Sequence, residues 1–139
     1  MELNWIAIFV ISFAAFAGGA VWHGPLFGKI WMKIHHGDKV FSKEEMAELG
    51  KGMWKLLLTE FVATLLMIIS LACLVKAIPQ YSGVQVGFMA WLGFVLPMTV
   101  SNIIWGGDKR EWWMTKIIVS VSYRLIVFLA AGYILSIWL

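Results

Sequence analysis

Long apolar runs dominate the chain, and polar residues gather only between them. The runs at residues 4–22, 53–76, 83–105 and 113–138 are continuously apolar. Each matches the about 20 helical residues needed to cross a hydrocarbon core of about 30 Å. The pattern disfavours barrel strands, because they alternate apolar and polar positions over roughly ten residues. The pattern predicts an all-α membrane protein, one four-helix transmembrane domain over residues 1–139, with a single sizeable connection, between the first two spans.

Inside that connection the period changes. Pro25 suits a helix's first turn, and Leu26, Phe27, Ile30, Trp31 and Ile34 then share one face while Lys29 and Lys33 lie at i, i+4 on the other. This predicts an interfacial amphipathic helix over 25–36, lying in the membrane plane and anchored by Trp22, Pro25, Phe27, Lys29, Trp31 and Lys33. Gly37 and Asp38 break it. Ser42 and Glu45 then form a capping box for a short helix through Leu49, which Gly50-Lys51-Gly52 ends. A weak echo links Trp22, nine residues before Trp31-Met32-Lys33, to Trp105, eight before Trp113-Met114-Thr115-Lys116. Two pseudo-repeated helical hairpins produce such an echo, and so does convergent interface chemistry.

Composition agrees, at 61% hydrophobic and only 14% charged, against the roughly quarter-charged balance of soluble domains. The formal charge of +3 reflects topology and gives no ground for nucleic-acid binding. Lys29, Lys33, Lys39, Lys43, Lys51 and Lys55 lie in or beside the first loop, and Lys109, Arg110 and Lys116 in or beside the third, with only Lys76 opposite. The positive-inside tendency therefore places these loops in the cytoplasm and both termini outside. Ala15-Phe16-Ala17 resembles a signal-peptide cleavage site, but Glu2 stands where such a peptide carries basic residues, so a retained helix is expected. Tryptophans cluster at the predicted membrane boundaries except Trp91, inside the third span. Cys73 is alone, which excludes a disulfide framework.

Helices associate in lipid through small residues and polar contacts. Gly18 and Gly19, each four residues after an alanine, mark a packing face on the first span, and Gly83, Gly87 and Gly93 mark one on the third. Gly132 with Ser136 adds a weaker pair on the fourth. Pro97 should kink the third span, since its ring clashes with the Gly93 carbonyl. Asn102 follows on the cytoplasmic side, available to freed backbone groups, a neighbouring helix or a solute.

The intramembrane ionisable residues are Glu60, about 8–9 Å into the second span, and Arg124, about 16 Å into the fourth. A charge at the bilayer centre costs about 2.5–3.5 kcal/mol, so both call for an explanation. Side chains lean towards a helix's N-terminus, which would bring the guanidinium down towards the carboxylate. The readings are a neutralised ion pair fixing helix register, a proton or ion pathway, and snorkelling without pairing.

His35 and His36 are adjacent, about 100° apart on a helix, which suits a shared metal poorly, and His23 stands alone at the interface. No nucleophile-and-base set, phosphate loop or cofactor motif is present, so neither an enzyme nor a cofactor is expected.

The stretch "WHGPLFGKIWMK" at 22–33, with Trp91–Phe94, Asn102 before Trp105, and Tyr123, Gly132 and Trp138 in the last span, resembles the small bacterial membrane proteins of the domain of unknown function family 1761. That family usually carries Trp-Tyr-Ser-Pro where this chain has Trp22-His23-Gly24-Pro25, so no role for His23 carries over. The resemblance implies a four-helix protein of the cytoplasmic (inner) membrane with no assigned activity. Two functional readings follow. The first is a non-catalytic protein that self-assembles or joins a larger membrane complex, its partners being lipid and further subunits. The second is a homo-oligomeric channel or transporter for an ion or small solute, with Glu60, Arg124 and Asn102 lining the route and Pro97 bending it.

Overall fold

The computed structural model describes residues 2–138, and within them the chain is helical with no strand. Six helices follow in order: α1 (Trp5–Leu26), α2 (Gly28–His36), α3 (Lys43–Gly50), α4 (Met53–Ala77), α5 (Gly83–Trp105) and α6 (Trp113–Trp138). The helices α1, α4, α5 and α6 are each long and apolar enough to cross a membrane. They alternate in direction, so one end of the bundle holds the termini and the α4–α5 turn, and the other holds the lysine-rich loops. Asn4 ties the first of these ends together. Its side chain accepts from the Ala7 N–H at 3.1 Å, capping α1, and donates to the Trp138 carbonyl at 3.0 Å.

Packing is uneven along the bundle. Ile8, Ile68, Leu71 and Leu135 are fully buried, and with Val86, Ala90 and Ala131 they fill the half nearest the termini. Towards the lysine-rich end few residues are buried, among them Ile103 and Val119. Glycine explains the tight half. A methyl group on Gly83 would lie 1.9 Å from the Gly132 carbonyl oxygen, and one on Gly87 would lie 2.2 Å from that of Phe128. The backbones of α5 and α6 therefore touch, as small residues permit in lipid. Gly18 and Gly19 are also used within the chain, making room for the Tyr123 ring on α6. Gly93 differs, with nothing within 4 Å of its methyl position.

Two elements depart from expectation. α1 does not stop at Trp22 to let Pro25 open the next helix. It continues through a π turn over Trp22–Leu26, and the break falls at Phe27, where φ is −120°. The cause is visible in the bonding: the Phe27 N–H donates to the Trp22 carbonyl at 3.0 Å, an i to i−5 step. The wider turn accommodates a proline that the α-helical register would reject. α2 consequently begins at Gly28. Pro97 likewise follows a π turn, over Trp91–Val95, whose Leu96 N–H donates to Trp91. The expected distortion of the third span is thus present, but as a register change just before the proline.

These π turns each begin Trp-x-Gly, and both tryptophans serve α6. The Trp22 indole donates to the Val119 carbonyl at 2.9 Å and the Trp91 indole to the Val121 carbonyl at 3.0 Å. Acceptors two residues apart lie about 3 Å apart along a helix. α6 is thereby clamped at one depth from two sides, and Trp22, expected as an interfacial anchor, is also a helix clamp.

The capping box of α3 forms as expected, with the Glu45 N–H donating to Ser42 Oγ at 3.2 Å and the Ser42 N–H to Glu45 Oε2 at 2.9 Å. The Ser42 N–H, and after it Lys39, hold the Glu45 carboxyl below the usual carboxylate range. A depressed folded-state pKa gives stabilisation that is present above the unfolded pKa and is lost as pH falls through the folded one. The Cα chemical shifts of residues 43–46 should therefore lose helical character on acidification through the carboxylate range. Shifts that hold constant there would show that the cap does not depend on the carboxylate.

Candidate functional site

Where the core thins towards the lysine-rich end, α1, α4 and α6 diverge around a cavity of about 390 Å³. Its polar lining comes from His23, Glu60, Thr64, Ser120, Tyr123 and Arg124. Phe16, Leu57, Met67 and Val127 provide apolar wall, and Trp31 of α2 reaches back to its edge. Spacing along the helices produces this lining. Glu60, Thr64 and Met67 recur at i, i+4 and i+7 on α4, and Ser120, Tyr123, Arg124 and Val127 at i, i+3, i+4 and i+7 on α6, so each set shares one face.

The expected Glu60–Arg124 ion pair is not formed. Among the described residues the ion pairs join Lys39 to Glu45, Lys51 to Glu48 and Lys116 to Asp108. Arg124 Nη1 instead lies 3.9 Å from the Met67 sulfur, a weak contact for a guanidinium with five donors. Met67 stands seven residues beyond Glu60 on α4, towards the packed half. The guanidinium thus turns towards the cavity floor rather than leaning back to the carboxylate. Both charges face the same cavity without neutralising each other. Asn102 is exposed on α5 and does not line it.

Around the cavity, side chains hold one another. Tyr123 OH donates to the Ala15 carbonyl. His23 Nδ1 lies 3.1 Å from the Gly19 carbonyl oxygen, which can only accept, so this nitrogen carries the proton. The Trp31 ring packs edge-on against His23 with centroids 4.9 Å apart, and tilted against His35 at 4.8 Å. Lys116 Nζ is 5.8 Å from the Trp31 ring centre, and is itself bonded to both Asp108 oxygens at 2.8 and 2.9 Å. Lys33 Nζ lies 5.8 Å from the Trp112 ring centre. Trp31 and Lys33, expected as interfacial anchors, therefore also fasten α2 to the end of α1, the start of α6 and the turn before it.

Residues 6–136 match the family described as a protein of unknown function, DUF1761. The chain belongs to that family. No curated protein and no solved structure matches it. In this DUF1761 protein, His23, Tyr123, Trp31, Thr64 and Ser120 join the site, although the sequence pattern marks Trp31 as an anchor, gives His23 and Tyr123 no role and does not single out Thr64 or Ser120. One signal was available: Gly18 and Gly19 are the space opposite a large side chain, and Tyr123 precedes the intramembrane arginine. His35 and His36 do not line the cavity. Among the described residues no group of three or more His, Cys, Asp or Glu is placed to hold a metal ion.

Proposed function

We propose that this DUF1761 protein is a non-catalytic multipass protein of the cytoplasmic membrane that binds a small polar solute in the cavity between α1, α4 and α6, as the receptor site of a small transporter. One observation carries this reading: Glu60 and Arg124 face a common cavity and form no ion pair. Intramembrane charges that a fold does not neutralise mark substrate or ion routes. The positive-inside tendency puts the lysine-rich loops, and so the cavity's mouth, in the cytoplasm, with both termini outside. Beyond Met67 and Val127 the bundle closes on Ile68 and Leu71, so passage across requires the packed half to open or a further copy to complete the route.

Self-assembly, or membership of a larger membrane complex, is a second reading. It is favoured by Gly93, whose open backbone on α5 is the kind of surface that lets another helix approach closely. The remaining packing glycines do not support it, because they meet helices of their own chain.

The receptor reading is tested with Ser120→Cys in a Cys73→Ser background. In sealed inside-out vesicles a small neutral hydrophilic thiol reagent should modify the introduced thiol, and in right-side-out vesicles it should not. Absence of modification from either side would mean a dry cavity and end the reading.

A further inference from the structure

The cavity's chemistry also restricts what it takes. We propose, resting on the receptor reading above, that its ligand is a small zwitterion, with an ammonium group held at Glu60 and a carboxylate held at Arg124. Three features support this. The two protein charges are opposite and form no ion pair with each other, so a ligand bearing one charge would satisfy only one of them. They are also ordered in depth: Glu60 is on the mouth side, and the Arg124 guanidinium turns towards Met67 on the floor side. The anionic end therefore enters first, to meet a planar, fork-shaped donor suited to a carboxylate.

Trp31 at the cavity's edge and Tyr123 deeper in add ring faces, which favour an ammonium. Lys116, whose Nζ lies 5.8 Å from the Trp31 ring centre, is already paired with Asp108 and does not oppose this. The volume, about 390 Å³, is near the lower end of ligand pockets, which excludes a long-chain lipid as the whole occupant.

The full-length protein carrying Cys73→Ser and Ser120→Cys, reconstituted in vesicles, gives the test. Glycine and glycine betaine should slow modification of the introduced thiol, whereas acetate and tetramethylammonium at equal concentration should not. Adding Glu60→Gln or Arg124→Gln should each weaken glycine's protection by about tenfold or more, as expected for losing a charged hydrogen bond. Protection by acetate that Glu60→Gln leaves unchanged would identify a simple anion site, overturning the zwitterion while the receptor reading survives. A thiol that reacts but that neither zwitterion shields overturns the zwitterion equally. A thiol that never reacts removes the receptor reading beneath it. Comparison of the same four solutes on the parent protein keeps the test decisive even where a charge variant fails to fold.

Discussion

Replacing Gly83 with alanine should destabilise the bundle by about 3 kcal/mol, the upper part of the range for overpacking. The added methyl would meet the Gly132 carbonyl oxygen at 1.9 Å, and that atom is helical backbone, which no rotamer change can move. Relief requires α5 and α6 to separate, and the seam through Gly87, Ala90 and Ala131 would loosen with them. Gly93→Ala is the internal control. Nothing lies within 4 Å of that methyl position, so a change within about 0.5 kcal/mol is expected. Equilibrium unfolding in mixed micelles compares the two. Equal effects at both positions would mean that glycine acts here through helix propensity and not through contact of the backbones.

Replacing Arg124 with leucine should have the opposite sign: stability rises by about 2 kcal/mol while solute protection at the cavity disappears. Arginine costs about 2.5–3.5 kcal/mol at the centre of a membrane helix, whereas leucine is favoured there. The half-buried guanidinium recovers little of this from the Met67 sulfur at 3.9 Å. The full difference is not expected, because a cavity open to water already solvates part of the group. Were Arg124 the partner of Glu60, its loss would strand a carboxylate and destabilise by about 3–5 kcal/mol. A residue whose removal stabilises the fold and abolishes binding is one kept for function at a cost in stability. The same unfolding assay, with thiol protection alongside, reads both effects.

The spans were legible because length and continuity of apolar residues suffice in a bilayer. Observed bounds such as Met53–Ala77 and Gly83–Trp105 fall within a residue of the hydropathy pattern. α3 was legible through Ser42 and Glu45, since a capping box is a local bond pattern. Pro25 was misleading because local preference favours it in a first turn, whereas the Phe27 bond to the Trp22 carbonyl carries α1 past that point and the Trp22 indole ties it to Val119. The glycines identified close packing but not with which helix, since Gly83 against Gly132 depends on the tertiary arrangement. Within the site, Glu60 and Arg124 stood out as costly charges. Their orientation did not, because a backbone lean towards the N-terminus is a weak preference that the contact with Met67 overrides. Tyr123, His23 and Ser120 are ordinary residues in an apolar run until three helices converge on them.

A double-mutant cycle between Glu60 and Arg124 tests most directly whether the cavity holds two independent charges awaiting a solute. The unfolding free energies of Glu60→Gln, Arg124→Gln and the combined variant, measured without added solute, yield the coupling. Two opposite charges that face one water-open cavity without direct contact should couple by about 1 kcal/mol or less. A coupling of about 2 kcal/mol or more would mean that the two charges hold the helices together as a pair, and would contradict the receptor site.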